Sequence, residues 1–262
     1  MESAHRPASG STPDAPVAWR VTEAVLVGGA TATVAFTLGR LLDSTVVAVG
    51  LGAIAALNGL VSGWRRVYDW RRPSGWIAVL LDTVWAFGPV ALGLVAHLVA
   101  LVRHGQYEAS LSVRQNRHVY RRGAHLQAGY VFTIGNVISS AGDVDHERRR
   151  KLIVDHEDVH IWQARWWGPA YLVMYVGWTV VGSIAGWLAW LRRGRSTPLG
   201  KVVRSYSYYM NPFEWWAYCR DDLWPPSGLA DGFGWRGRIV RPFSAARTAK
   251  HLGITDRHRP AS

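Results

Sequence analysis

The chain has 262 residues, and its composition combines a formal net charge of +12 with 49% hydrophobic residues and 15 tryptophans. This combination is not typical of a soluble domain and indicates a membrane protein, in which arginines collect beside apolar segments and tryptophans near the bilayer interfaces. Because the basic residues border apolar runs instead of forming one stripe, anionic lipid is the expected counterion and no nucleic-acid partner is expected. The single cysteine, Cys219, excludes an internal disulfide and a cysteine-rich metal site.

Two apolar runs follow an N-terminal segment of low hydrophobicity. Residues 1–20 are rich in Ala, Pro, Ser and Gly, and they predict a disordered tail. Residues 24–42 and 45–64 are each long enough to cross a bilayer, and only a short connection separates them. The sequence therefore predicts an antiparallel helical hairpin, with small residues that allow close contact between the helices.

A basic aromatic loop and a third apolar run complete the N-terminal membrane region, which is predicted to cover residues 21–103. Residues 64–73 carry four arginines and three aromatic residues, which is typical of a cytoplasmic interfacial loop. Residues 76–102 are longer than a bilayer requires, and Pro89 predicts a kink or break in this run. Asp82 lies within it, where an ionisable side chain indicates either a functional group or a residue near the interface or paired inside the bundle.

Residues 104–222 have a different pattern and are predicted to form a second unit. Short β-prone pieces at 110–113, 118–120 and 129–138 are separated by glycine and basic residues, and they predict a small sheet outside the bilayer. A helix is expected to follow the sheet and to continue to about Trp167.

A fourth apolar run and a basic tail complete the chain. Residues 169–191 form the run, which lies within the second unit as a membrane-associated segment, and residues 223–262 predict a basic, mostly irregular tail. The expected fold class is therefore a mainly α membrane protein with three to four apolar membrane helices, a small α+β unit and a short sheet.

The helix predicted after the sheet contains His156-Glu157-Asp158-Val159-His160, which matches the H-E-x-x-H pattern. Side chains four residues apart leave the same face of a helix, so the two imidazoles can bind one metal ion, with Glu157 placed to deprotonate a bound water. With ten His and six Glu in the chain, chance produces such a match in roughly one sequence in a hundred. The alternative is a helix that carries surface histidines without a metal.

A catalytic zinc site needs a third protein ligand and an open position for water. Glu214 is the best third candidate, because it falls in the first turn of a separate helix that Pro212 predicts. The other glutamates outside the motif are N-terminal or lie in no recognisable pattern: Glu2, Glu23, Glu108 and Glu147. If residues 169–191 crossed the bilayer once, Glu214 would lie on the opposite side from His156. The zinc site therefore requires this run to be re-entrant, a short hairpin or interfacial.

The order of these residues resembles the gluzincin arrangement, in which a glutamate on a later helix is the third zinc ligand. More narrowly, the chain resembles a group of bacterial HExxH proteins through three segments: His156-Glu157-x-x-His160-x-x-Gln163, Trp167-Gly168-Pro169 and Asn211-Pro212-Phe213-Glu214-x-x-Ala217. Those proteins carry a segment like residues 133–138 just upstream of the motif. The likeness covers residues 129–217, a third of the chain. The membrane-embedded HtpX-like peptidases are more distantly similar, sharing H-E-x-x-H, apolar helices and a downstream Glu-x-x-Ala.

The resemblance implies a zincin-like unit in which His156, His160 and Glu214 bind Zn²⁺ and Glu157 is the general base. A metal-polarised water would attack a peptide carbonyl, and the metal would stabilise the developing oxyanion. An edge strand that pairs with extended substrate is expected near the metal helix, at Gly135, Asn136, Val137 and Ile138. The candidate oxyanion donors are Tyr206, Tyr208 and Tyr209, although such tyrosines more often pack at membrane interfaces.

One position departs from the HtpX-like pattern, in which Glu-x-x-Ala is followed by an aspartate that orients a histidine ligand. Tyr218 occupies that position here. Either a different set of residues orients the ligands, or the site is catalytically weak. The candidates for positioning the ligands are Asp155, Gln163, Asn211 and Asp221.

These observations predict a multi-pass protein of the cell membrane with a zinc site that faces the cytoplasm, and the resemblance implies that it hydrolyses peptide or protein substrates. The alternative is a catalytically inactive metal-binding protein, or a non-enzymatic membrane protein such as a scaffold or a transporter component. The apolar bulk of the chain, Asp82 and the missing aspartate after Ala217 favour that alternative.

Overall fold

The computed structural model describes residues 15–125 and 129–252, and within them the protein is mainly helical. The first half contains α1 (Val17–Arg40), α2 (Thr45–Trp64), α3 (Pro73–Val84), α4 (Phe87–Val102), β1 (His118–Val119), β2 (Phe132–Ile134) and β3 (Val137–Ser139). The second half contains α5 (Glu147–Lys151), a π-helical turn (Leu152–Glu157), α6 (Asp158–Trp167), α7 (Pro169–Arg192), α8 (Leu199–Arg204), a second π-helical turn (Ser205–Tyr209), α9 (Pro212–Arg220) and α10 (Ala245–Leu252).

Three helices, α1, α2 and α7, are long and apolar enough to cross a membrane, and the bent pair α3–α4 brings the number to as many as four. Large apolar side chains on these helices face outward, among them Val46, Leu101 and Val173. Exposed apolar surface of this extent is expected where lipid, and not water, surrounds the protein. The prediction of three to four apolar helices of membrane-spanning length is therefore confirmed.

Helices α1 and α2 form the predicted antiparallel hairpin, and small residues bring the two backbones close together. A Cβ atom on Gly59 would lie 2.8 Å from the Cα of Gly28, so only glycine fits at this crossing. Thr31 donates a hydrogen bond from Oγ1 to the carbonyl oxygen of Ala55, 2.9 Å away. This contact ties the two helices together without leaving a buried hydroxyl unpaired.

The third apolar run is broken, and the axes of α3 and α4 differ by 93°. The break falls at Trp85 and Ala86 and not at Pro89, which lies in the first turn of α4, where a missing N–H costs no helical hydrogen bond. The segments that flank the bent pair lie close together: the guanidinium of Arg65 stacks over the ring of Tyr107 at 4.2 Å, and the N–H of Arg114 donates to the carbonyl oxygen of Arg66 at 2.9 Å. The basic segments before α3 and after α4 are therefore neighbours, as they would be around a re-entrant loop.

The sheet has the strand order β1–β3–β2, with β1 parallel and β2 antiparallel to the central strand β3. Val137 and Ile138 lie in β3 and are paired on both sides, while Gly135 and Asn136 form the turn between β2 and β3. The predicted edge strand at residues 135–138 is therefore wrong, because β1 covers that side of β3. Within the part of the chain that the structure describes, β2 is the edge strand nearest the metal helix.

A buried ion pair fixes helix α6, which carries His160, against the membrane region. Arg165 of α6 donates hydrogen bonds to both carboxylate oxygens of Asp82 in α3, at 2.8 and 2.9 Å, and a third to the carbonyl oxygen of Asn116 at 2.6 Å. Tyr68 donates a further hydrogen bond to Asp82 at 3.0 Å. Asp82 is thus paired inside the bundle, which was one of the two alternatives for this residue.

Both predicted irregular tails are partly helical. Helix α1 begins at Val17, so the disordered tail predicted for residues 1–20 is wrong at its C-terminal end, and residues 1–14 lie outside the described part. In the C-terminal segment α10 covers residues 245–252, and Thr248 donates a hydrogen bond to Asp155 at 2.9 Å. This contact packs α10 against the π-helical turn that leads into α6; residues 253–262 lie outside the described part.

Candidate metal centre

Three buried side chains from two parts of the chain converge at one point. The Nε2 atoms of His156 and His160 lie 3.3 Å apart, and each lies close to one carboxylate oxygen of Glu214, at 3.5 and 3.4 Å respectively. Nitrogen and oxygen ligands at about 2.0–2.1 Å from a tetrahedral metal are separated by about 3.3–3.4 Å, so the spacing suits one ion. The group could therefore hold a metal ion.

The two histidines lie where a π-helical turn becomes an α-helix. His156 and Glu157 end the turn that begins at Leu152, and His160 lies in the first turn of α6. A π-helical turn is wider than an α-helical one, and such turns are common at functional sites. The ring centroids of the two histidines are 5.0 Å apart. Both side chains therefore lie on the same face of the helix, as expected, although the helix type changes between them.

Glu214 is positioned by a capped helix. Pro212 opens α9, where its fixed φ suits the first helical residue, and Asn211 accepts a hydrogen bond at Oδ1 from the backbone N–H of Phe213 at 3.1 Å. Asn211 is one of the predicted positioning residues. It acts through this cap, and neither of its side-chain hydrogen bonds goes to an imidazole. Its Nδ2 also donates to the carbonyl oxygen of Tyr175 at 3.4 Å, which joins α9 to α7.

The chain returns to the histidines by folding back along α7. Gly182 of α7 is so close to the second π-helical turn that a Cβ atom there would lie 2.6 Å from the carbonyl oxygen of Tyr206, and Gly186 packs in the same way against Val203. Helix α7 is thus one uninterrupted helix with a returning segment beside it. The prediction that the fourth apolar run is itself re-entrant or a short hairpin is therefore wrong, and the segment after α7 is what returns Glu214 to the histidines.

Each imidazole has a partner that fixes its second ring nitrogen. The Nδ1 atom of His156 lies 3.2 Å from a carboxylate oxygen of Asp221, and the Nδ1 atom of His160 lies 2.9 Å from the amide oxygen of Gln163. Gln163 donates from Nε2 to the carbonyl oxygen of Phe213 at 3.0 Å, which identifies its oxygen as the atom that faces His160. His160 therefore donates from Nδ1, and its Nε2 lone pair is free for a metal.

Two of the four predicted positioning residues thus contact a histidine ligand, and the structure accounts for the departure at Tyr218. The ring of Tyr218 packs edge-on against His156, with centroids 4.5 Å apart, and Asp221 approaches His156 from the end of α9. Asp155 has a different role, because its hydrogen bonds go to Lys151 and Thr248.

The charges around the cluster favour a bound cation. Burial lowers the pKa of His156, but contacts with Asp221 and Glu214 and the charge of Glu157 outweigh this effect and raise it to about 10. Burial raises the pKa of Glu214, yet the two imidazoles hold it well below its usual range. The carboxylates thus stabilise positive charge at the imidazoles, and a divalent metal would supply it in place of protons.

The donor set also fits a metal on chemical grounds. Two imidazole nitrogens and one carboxylate oxygen match the ligands of catalytic zinc sites, which keep a fourth position for water. The Glu214 oxygen closest to His156 is buried and has no hydrogen-bond partner among the described residues, which a metal bond would correct. Tyr175 donates to the other oxygen at 2.6 Å.

Glu157 faces the two cavities that meet at the cluster. One cavity, of about 410 Å³, runs between β2 and the outer face of α7 and includes Thr133, Leu172 and Val176. The other, of about 530 Å³, opens beside the basic helix α5. Thr133 of β2 donates a hydrogen bond to Glu157 at 2.6 Å, so the edge strand and the candidate base are held together.

The three predicted tyrosines lie in different places. Tyr208 lines both cavities, whereas Tyr209 lines only the one beside α5 and Tyr206 packs away from both, against Phe233. Burial and the nearby charge of Glu214 raise the pKa of Tyr208 well above its ordinary value, so its hydroxyl remains a hydrogen-bond donor at neutral pH. Of the three, Tyr208 is the one placed to act on a bound substrate.

Thr133 and Tyr175 contact the site but were missed from the sequence. Tyr171 and Tyr175 lie four residues apart in an otherwise apolar run, which places both hydroxyls on one helix face. That spacing was the available signal for Tyr175. Thr133 begins the segment 133–138 that the resemblance includes, but its contact with Glu157 depends on the pairing of β2 with β3 and could not be predicted.

Comparisons with protein-family models, with curated proteins and with solved structures give no match to this chain. The geometry of the cluster and its surroundings therefore carries the functional argument.

Proposed function

We propose that the protein is a membrane-bound, zinc-dependent metallopeptidase of the gluzincin type, which hydrolyses peptide bonds in peptide or protein substrates. The observation that carries the proposal is the buried triangle of His156, His160 and Glu214, with Glu157 beside it and an open cavity on either side. Zinc is the metal we infer, because two imidazoles and one carboxylate form a typical catalytic zinc ligand set.

The residues around the cluster have separate roles in this proposal. A bound zinc ion supplies Lewis acidity, which lowers the pKa of water and polarises a carbonyl. Glu157 accepts the proton from the attacking water and later gives it to the leaving amine, and Thr133 holds its carboxylate in place. Tyr208 donates a hydrogen bond to the developing oxyanion, and Asp221 and Gln163 keep the two imidazoles in position.

Strand β2 is the element we propose for substrate binding. It is the edge of the sheet, it lines the cavity of about 410 Å³, and its Thr133 contacts the candidate base. An extended peptide that adds to this edge would gain main-chain hydrogen bonds and pass the cluster. We therefore assign the pairing with extended substrate, which was expected at residues 135–138, to Phe132–Ile134.

We further propose that the protein lies in the cell membrane with the metal site toward the cytoplasm. The arginine-rich segments before α3 and after α4 lie together, and the positive-inside rule places such segments in the cytoplasm. In this orientation the far end of α7 lies on the opposite side of the membrane, against the preference that the same rule gives to Arg192, Arg193 and Arg195. With Cys219 replaced by serine, single cysteines at Arg71 and Ser196 can be labelled in intact cells. Labelling of Arg71→Cys by an impermeant reagent would contradict this orientation.

The function is tested with purified, zinc-loaded protein and an unstructured protein such as casein. The wild type is expected to cleave it, and Glu157→Gln to keep its zinc but lose at least a hundredfold in rate, since general-base catalysis contributes about 10²–10⁴-fold. Glu147→Gln is the matched control, because this glutamate lies in α5 outside the cluster and should leave the rate unchanged. Cleavage that survives in Glu157→Gln would contradict the assignment, and zinc binding without any cleavage would favour an inactive metal-binding protein.

A further inference from the structure

A cavity of about 430 Å³ lies on a face of α6 that carries neither histidine ligand. Its walls combine tryptophans with arginines from three parts of the chain: Trp162, Trp166, Trp167, Trp216, Arg220 and Arg247. We call this feature the tryptophan–arginine cavity. None of the three metal ligands lines it, so it is separate from the cleft described above.

The cavity lies where a membrane-spanning helix begins. Trp167 is followed by Gly168 and by Pro169, the first residue of α7, and Trp166 and Trp167 are 58% and 41% exposed. Tryptophans are enriched at the level of the lipid headgroups, where an apolar ring and a polar N–H are both accommodated. The mouth of the cavity is therefore expected at the height of the headgroups.

The arginines of the cavity leave an excess of positive charge. The guanidinium groups of Arg247 and Arg220 lie over the same ring, that of Phe243, at 3.1 and 5.0 Å. Asp158 lies 2.6 Å from Arg117 and 3.6 Å from Arg247, and the other nearby acid, Asp155, pairs with Lys151 at 2.6 Å. Two carboxylates therefore face four cationic side chains, and two positive charges remain. Two like charges held this close are stabilised by an anion between them.

One guanidinium nitrogen of an arginine that lines the cavity is unpaired. The Nη1 atom of Arg247 is buried and has no hydrogen-bond partner among the residues that the structure describes. Arg220 uses one nitrogen to donate to the carbonyl oxygen of Arg241 at 2.8 Å, which fixes its side chain and leaves further N–H groups free for a ligand. Phosphate oxygens are the acceptors that paired guanidinium groups bind best.

We propose that the tryptophan–arginine cavity binds an anionic phospholipid of the leaflet at which α7 begins. Arg220 and Arg247 hold the phosphate, while the glycerol backbone and upper acyl chains pack against Trp166, Trp167 and Trp216. The lipid then rests on the metal helix beside Gln163, which also lines the cavity. The inference does not depend on zinc or on catalysis.

The test measures lipid retention by the purified full-length protein. The chain is equilibrated in micelles with equal amounts of phosphatidylglycerol and phosphatidylcholine that have identical acyl chains, and the bound lipids are counted by native mass spectrometry. The wild type is expected to retain one phosphatidylglycerol in preference to phosphatidylcholine. Each arginine near a lipid phosphate contributes about fivefold, so Arg220→Gln/Arg247→Gln should reduce the preference about thirtyfold and Arg220→Gln alone about fivefold. The single variant serves as the test if the double variant does not fold.

Arg238→Gln is the matched control, because it removes the same charge from an exposed arginine that pairs with Asp222 outside the cavity. It should leave the preference unchanged. Equal retention of both lipids by the wild type would overturn the proposal, as would an unchanged preference in the Arg220→Gln variant. Displacement of the lipid by glycerol phosphate at the same concentration would also overturn it, because the site would then be one for a soluble anion.

Discussion

Replacement of Asp221 by asparagine tests whether this residue orients His156. The carboxylate lies 3.2 Å from Nδ1 of His156 and is fully buried, so no water replaces it when its charge is removed. An asparagine keeps the shape but can present its NH₂ group to Nδ1, and it no longer stabilises positive charge on the ring. Loss of such a partner typically weakens metal binding about 10–100-fold, which corresponds to about 1.4–2.7 kcal/mol.

The assay is a competition titration of zinc between the purified protein and a chromophoric chelator at fixed pH. Asp222→Asn is the matched control, because the neighbouring carboxylate faces Arg238 on the surface and should leave the zinc affinity unchanged. An Asp221→Asn variant that binds zinc within twofold of the wild type would refute the reasoning. Equal losses in the two variants would do so as well, since a general charge effect would then explain both.

Three further predictions concern the hairpin-like return, the buried ion pair and the protonation of His156. Gly182→Leu should displace the returning segment and abolish zinc binding, whereas Gly177→Leu, with nothing within 4 Å of its Cβ position, should bind zinc normally in the same titration. Asp82→Ala leaves Arg165 buried without its partner and should lower the free energy of unfolding in detergent by about 3–5 kcal/mol, measured by denaturant titration; a loss below 1 kcal/mol would contradict the role of the pair. Because the pKa of His156 is raised to about 10 in the metal-free site, this ring is protonated at neutral pH and zinc must displace the proton. The apparent zinc affinity should therefore rise about tenfold per pH unit from pH 6 to 9, and calorimetry in buffers of different ionisation enthalpy should detect the released proton.

The candidate metal ligands and the apolar helices could be predicted because their signals are local. His156 and His160 follow the helical spacing, and Pro212 marks the start of the helix that presents Glu214. The length and composition of each apolar run can likewise be read directly from the sequence, and these two properties are enough to predict a membrane helix. For these features a short stretch of sequence contains the physical cause.

The features that were wrong or missed depend on contacts between distant segments. The edge position of β2 follows from the pairing of β3 with His118–Val119, which no feature of residues 132–139 reveals. The return of Glu214 to the histidines depends on the close approach at Gly182, and the helical part of the C-terminal tail is held by a contact with Asp155. Such packing decides which of several locally allowed structures forms.

The most direct test of the metal centre is the zinc content of the purified protein, measured by elemental analysis after removal of loosely bound metal. We expect close to one zinc per chain in the wild type and in Glu157→Gln, and little or none in His156→Ala, His160→Ala and Glu214→Ala. Full zinc content in Glu214→Ala would contradict the assignment of the third ligand, and a wild-type protein that cannot be loaded with zinc would contradict the metal centre itself.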